Sequence, residues 1–170
     1  MVTPRARRHV LPDVLRPGLD LVFCGTAAGR ASAAAGAYYA HPGNFFWRTL
    51  HAVGLITEPL TPREFRRLLD FGIGLTDLAK HHVGNDAELP GHAFDAQALR
   101  RKILRHAPRL LAFTSKNAAQ VALGHAVSYG PQACRWGTTA LWVLPSPSGQ
   151  ARRFWGERPW RALAAARAPR

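Results

Sequence analysis

The stretch Leu19-Asp-Leu-Val-Phe-Cys-Gly-Thr-Ala-Ala-Gly-Arg-Ala-Ser-Ala-Ala-Ala-Gly-Ala-Tyr-Tyr39 decides the fold. It begins as an apolar run, Leu19 to Cys24, dense enough in large hydrophobes to be a buried strand. The run breaks into Gly25-Thr-Ala-Ala-Gly29, where no side chain exceeds threonine, so a flat ligand can approach the backbone closely. A strand that opens into a small-residue loop is one way an α/β sheet presents backbone N–H groups at its carboxyl edge. Spacing alone fits an ordinary tight turn after a core strand equally well.

Working outward, Arg109 to Thr114 and Thr139 to Leu144 are further clear strands, and Phe71 to Asp77 reads as a short extended segment ending at a carboxylate. Capped helices lie between them. Asn44 caps a helix over 45–53, and Asp95 caps one to His106. Ser115 caps another to Leu123, with Gly124 at its end. Thr61-Pro-Arg-Glu64 is a capping box with proline at the first helical position, opening a helix to about Asp70. Pro159 and Trp160 open a last helix. Residues 30–43 and 81–93 read as long loops, and the stretch with Cys134 and Trp136 as turns. Strands alternating with helices predict an α/β fold with a mostly parallel sheet covered on both faces. No repeat or linker interrupts the chain, so 1–170 reads as one domain. Residues 1–18, basic and punctuated by Pro4, Pro12 and Pro17, read as an arm with at most one helical turn near Val14.

Composition narrows the partners. A chain of 170 residues that is 47% hydrophobic can build a full core. Twenty-three Lys and Arg against ten Asp and Glu give a net charge of +13. Arg supplies most of that charge, and its guanidinium pairs with phosphates bidentately, so nucleic acid is the expected partner. An acidic membrane or metabolite stands behind it, and a genome that writes Arg for Lys would contribute charge with no partner at all. No run approaches the roughly 20 apolar residues that span a bilayer, and no apolar segment follows Arg5, Arg7 and Arg8 as in a signal peptide. Cys24 and Cys134 are too few for a disulfide framework, a cysteine-rich zinc site or an iron–sulfur cluster. The expected setting is a reducing cytoplasm, with no metal and no cofactor.

Three loops should meet at the carboxyl edge of the sheet: 25–39, 76–93 and 145–153. The first brings backbone N–H groups, Tyr38 and Tyr39. The second brings Asp77, Lys80, His81 and His82, and the third Ser146, Ser148, Gly149, Arg152 and Arg153. An aromatic plate, an acid and a basic Gly/Ser loop suit a flat heterocycle attached to phosphates. The patterns of zinc nucleobase deaminases, helical zinc pairs and P-loops are missing. The adjacent His81 and His82 lack the i, i+4 spacing of a helical metal pair.

Four motifs together resemble the mismatch-specific uracil/thymine-DNA glycosylases, the Mug branch of the uracil-DNA glycosylase superfamily. They are Val22-Phe-Cys-Gly-Thr-Ala-Ala-Gly29, Tyr39-Ala-His-Pro-Gly-Asn-Phe-Phe-Trp47, Gly74-Leu-Thr-Asp77 and Leu144-Pro-Ser-Pro-Ser-Gly149. The resemblance spans about residues 10–155 and implies a three-layer α/β/α sandwich, a monomer, and double-stranded DNA carrying a uracil mismatch, or single-stranded DNA, as partner. It places Gly25, Thr26, Ala27, Ala28, Tyr39 and Ser146 around a flipped base, Tyr39 stacking on it. It places Ser148, Gly149, Arg152 and Arg153 on DNA, with Gln150 at the wedge position that fills the vacated space. Two departures stand out. The family's water-positioning Asn is Ala27 here, and the usual wedge Leu is Gln150.

The resemblance therefore implies a monofunctional glycosylase of base excision repair in which Asp77 replaces the missing Asn, with Asp86 in reserve. Two other classes stay open: a module that binds damaged or abasic DNA without releasing a base, and a nucleotide-binding metabolic enzyme.

Overall fold

The computed structural model describes residues 7–168. One sheet contains β1 (Leu21–Ala28), β2 (Ile73–Val83), β3 (Leu110–Phe113), β4 (Gly130–Trp136) and β5 (Thr139–Val143), in the order β2-β1-β3-β5-β4. β1 pairs in parallel with β2 and β3, and β3 with β5, while β4 runs antiparallel to β5. The helices are α1 (Arg30–Ala35), α2 (Phe46–Ala52), α3 (Ala96–His106), α4 (Lys116–Leu123) and α5 (Arg158–Arg167).

Alternation along β1 sorts the core into two layers. Leu21 and Phe23 point toward α2 and α5, meeting Phe46, Leu50, Trp160 and Leu163. Val22 and Cys24 point toward α3 and α4, meeting Leu99, Ile103, Ala118 and Ala119. Burial on both faces is why the inner strands read as unbroken apolar runs. The expected three-layer α/β/α arrangement with a mostly parallel sheet is therefore what forms. Its helix starts follow their caps: Asp95 Oδ1 accepts from the Ala98 N–H at 2.9 Å, and Ser115 Oγ from the Ala118 N–H at 3.0 Å.

Several boundaries differ from the sequence reading. The Gly25–Ala28 segment is strand rather than loop, and β2 continues past Asp77 to Val83 instead of ending there. The two extensions support each other through the pairs Gly25↔Asp77 and Ala27↔Ala79. Residues 30–35 form α1 rather than loop, because Arg-Ala-Ser-Ala-Ala-Ala is rich in the best helix former, and Gly36 ends it at φ 64°. Residues 62–71 form a 3-10 helix, bent at Glu64, whose carboxylate turns back to accept from the Thr61 N–H at 2.8 Å. The expected turns around Cys134 are β4, an edge strand with only Gly130 and Trp136 buried, so no apolar run announces it.

The segment before β1 is extended rather than helical at Val14. It runs along the free edge of β2 through the Val14–Leu75 bridge and a Val10 N–H donated to the Lys80 carbonyl at 2.7 Å. Asp13 joins Lys80 at 2.9 Å and Lys102 at 2.6 Å, and accepts from Thr76 Oγ1 at 2.7 Å. The portion of the basic arm in residues 1–6 lies outside the described residues. Among the described residues, no helix is long and apolar enough to cross a membrane.

Candidate functional site

The site begins with a mismatch in strand length. β3 pairs with β1 only as far as Cys24↔Phe113, whereas β1 runs on beside β2 to Ala28. The β3-facing edge of Gly25 to Ala28 is thus left without a strand partner. It opens into a cleft of about 970 Å³ at the carboxyl end of the sheet, where open α/β sheets bind their ligands.

Asp77 sits at the cleft floor, 6% exposed, beside Gly25. A Cβ on Gly25 would lie 2.9 Å from Asp77 Oδ1, 3.4 Å from the Tyr39 hydroxyl and 3.5 Å from Thr114 Oγ1. A side chain at 25 would press on the Asp77 carboxylate, because three polar groups converge there. Burial pushes the Asp77 carboxyl up to about 7, opposed by the charges of Lys80 and Lys102 and by the Gly25 N–H it accepts. Asp77 therefore changes charge near neutrality, the range best suited to proton transfer. Among the described residues no cluster of His, Cys, Asp and Glu is suited to hold a metal.

Tyr39 adopts a left-handed backbone, φ 51°, which a bulky residue keeps only when its surroundings over-determine it. Its ring stacks on Phe46 at 3.9 Å between centroids, and its hydroxyl lies 3.1 Å from Thr114 Oγ1. One ring face is thereby covered. Burial, with the Asp77 carboxylate second, raises the hydroxyl well above its ordinary range, so it stays neutral. Tyr38 is buried and serves the core, its hydroxyl donating to the Pro12 carbonyl at 2.9 Å.

The roof is the segment after β2. Asp86 Oδ1 accepts from Thr26 Oγ1 at 2.5 Å and Oδ2 from Asn117 Nδ2 at 2.6 Å, clasping β1 and α4 together. Arg30 and Glu88 pair outside it at 2.9 Å. The rim opposite is the loop after β5. Ser146 Oγ accepts from the Ser148 N–H at 3.2 Å and Ser148 Oγ from the Gln150 N–H at 3.3 Å, so both hydroxyls shape the turn. Gly149 packs against the chain at Gly43, whose carbonyl oxygen would be 3.2 Å from an added Cβ.

Of the residues singled out in the sequence, Gly25, Thr26, Ala27, Ala28, Tyr39, Asp77, Ser146, Ser148, Gly149, Gln150 and Arg153 all line this cleft. Arg152 does not. Its guanidinium turns outward over the Phe45 ring, 5.2 Å from the centroid. Lys80, His81 and His82 belong to β2 rather than to a loop. Thr114, Lys116, Asn117 and Tyr129 also line the cleft, and no sequence motif marks them. The signal for Thr114 and Asn117 was present in the strand-cap-helix junction at Ser115, once β3 is placed next to β1.

A family model described as the uracil DNA glycosylase superfamily matches residues 12–168. Among solved structures, the solution NMR structure of a candidate uracil DNA glycosylase from Methanosarcina acetivorans is similar, with a TM-score of 0.63 and 23% sequence identity. That likeness covers 95% of this chain and 98% of the other, and it shows a shared fold.

Proposed function

We propose that this chain, which belongs to the uracil DNA glycosylase superfamily, is a single-domain, monomeric, monofunctional glycosylase of the mismatch-specific uracil/thymine branch. It takes uracil flipped from DNA into the cleft and hydrolyses its N-glycosidic bond. The observation that carries this reading is the convergence of Asp77, the Tyr39 hydroxyl and Thr114 Oγ1 about Gly25, beneath an unpaired backbone edge.

The roles follow from the chemistry. Breaking the C1′–N bond leaves its electron pair on the base and a cationic sugar. The backbone of Thr26 to Ala28 faces the leaving base, and preorganised N–H donors stabilise such developing anions. Ionised Asp77 accepts a proton from the water whose oxygen bonds to C1′, and its charge favours the oxocarbenium-like sugar. Tyr39, on the cleft wall, offers the base an aromatic surface. Ser148, Gly149, Arg152 and Arg153 hold the DNA backbone, which supplies most of the salt-sensitive affinity. Lys80 is committed to Asp13 and Tyr38, and Lys116 lies over the Tyr129 ring at 4.4 Å. No motif positions an amine against the sugar, so no lyase step accompanies base release. A borohydride-trapped enzyme–DNA adduct would overturn that point.

The test is base release from labelled oligonucleotides carrying uracil, single-stranded or opposite G or A, followed by alkali. Wild type should release base, and Asp77→Asn should lose about 10² to 10⁴ in rate, the usual worth of a general base. Equal activity in both removes Asp77 from the mechanism. One observation favours a second reading: Ala27 places a methyl in the cleft where a polar side chain would orient water. Tight, salt-sensitive DNA binding with no release by either protein would establish that binding-only module.

A further inference from the structure

A water that must attack along one line has to be held through both of its protons, and Asp77 takes only one of them. Held at a single carboxylate oxygen, the water swings about that bond, and small misalignments are costly in rate. Ala27 carries no polar side-chain atom to stop it. The other two oxygens gathered at Gly25 can.

Asp77 Oδ1, Tyr39 Oη and Thr114 Oγ1 stand 2.9, 3.4 and 3.5 Å from the point that a Cβ on residue 25 would occupy. Which of them accepts a hydrogen bond there depends on where each hydroxyl proton goes. Thr114 is 4% exposed, so its one hydroxyl proton needs a partner within the protein. The Cys24 carbonyl supplies it, 3.4 Å from Oγ1 and already accepting from the Thr114 N–H at 3.0 Å. Thr114 Oγ1 is then free to accept, and Tyr39 Oη donates to it at 3.1 Å. Burial and the Asp77 charge keep the Tyr39 hydroxyl neutral, so that proton stays in place. The ring is held where it is by Phe46, stacked at 3.9 Å between centroids. A hydroxyl whose proton is engaged by Thr114 presents only lone pairs toward Gly25.

We propose that the Tyr39 hydroxyl is the second acceptor for the attacking water, and that Thr114 is the positioning residue that turns its lone pair toward that water. This rests on the glycosylase reading above. One water proton bonds to Asp77 and the other to Tyr39 Oη, which aims a lone pair of the water oxygen out toward the sugar. As that oxygen bonds to C1′, the proton shared with Asp77 passes to the carboxylate and the C1′–N electron pair leaves with the base. The Tyr39 proton does not move.

The experiment follows single-turnover uracil release from a single-stranded oligonucleotide, with the Kd for the same strand measured alongside. Tyr39→Phe, which keeps the ring, and Thr114→Val should each slow release about 10- to 100-fold at unchanged Kd. Thr114→Ser should retain the rate, and Thr114→Ala should repeat Thr114→Val. Because Thr114 acts through Tyr39, the double variant should be no slower than Tyr39→Phe alone. A second readout needs no turnover. In Thr114→Val the Tyr39 proton has lost its acceptor and turns to the Asp77 carboxylate, which favours the ionised form. The stability that wild type loses as pH rises toward 7 should then level off at lower pH in urea unfolding, and adding Tyr39→Phe should cancel that change. The other charges acting on Asp77, those of Lys80, Lys102 and Asp13, are the same in every variant. Unchanged rates, a loss that resides in Kd, additive losses in the double variant, or an Asp77 titration that stays put or moves to higher pH would overturn the proposal, while uracil release by wild type would leave the glycosylase reading standing. No release by wild type would overturn that reading, and the water-holding role with it.

Discussion

Asp77→Asn should stabilise the protein while slowing its chemistry, and the gain should grow with pH. The carboxyl is 6% exposed and holds its proton up to about 7, against an ordinary 3.8. The folded chain therefore binds this proton more tightly than the unfolded chain. Whatever stability depends on it is complete below about 3.8 and is lost as pH rises toward 7. At about 1.4 kcal/mol per pH unit the full penalty for ionised Asp77 is about 4 kcal/mol, of which about 3 kcal/mol accrues between about pH 5 and pH 8.5. Asparagine keeps the shape and never ionises. Urea unfolding of both proteins should therefore show the variant gaining on wild type by about 3 kcal/mol across that interval. Asp13, whose carboxyl is held below its ordinary range by Lys80, Lys102 and Thr76 despite burial, titrates alike in both and drops out of the difference. A gap between the two proteins that stays flat with pH would refute the argument, because it would mean Asp77 is ionised without cost.

The same titration sets the activity profile. Base release should rise with pH through about 7 as Asp77 ionises, and Lys80→Met, which removes an opposing charge, should move that limb to higher pH; single-turnover rates across pH check it, and an unmoved limb removes Lys80 from the account. Gly25→Ala should cut base release by at least about 10-fold with a modest loss of stability, since its methyl would press on Asp77 Oδ1 at 2.9 Å; unchanged rates would show that the carboxylate is free to move aside.

The three inner apolar runs and the caps at Asp95 and Ser115 could be read because each signal is local. A cap needs only its own next three residues, and a strand covered on both faces needs no alternation. β4 could not be read, because an edge strand buries little and its pairing is supplied by β5. An acid at Asp77 interrupts the apolar run of β2, and only the neighbouring strand and the Asp13–Lys80 pair make the polar stretch beyond it viable. The site divides the same way. Gly25, Tyr39 and Ser146 lie in compact motifs, whereas Thr114 and Asn117 enter through the adjacency of β3 to β1, a relation among residues about 90 apart. The outward turn of Arg152 depends on Phe45, more than 100 positions earlier.

The central place of β1 has a consequence for synthesis. It is the first strand made, yet its partners are Ile73 to Val83 and Leu110 to Phe113, and Trp160 of α5 stacks on its Phe23 at 5.6 Å between centroids. As the chain leaves the ribosome, β1 waits with one edge open until β2 follows and with the other open until Leu110 to Phe113 follows, and such exposed edges invite wrong pairings. Closure comes last, when Trp160 seats itself between Phe23 and the Pro145 carbonyl. The residue that completes the core thus also anchors the loop after β5, so a nascent chain gains its core and the rim of its cleft in one step.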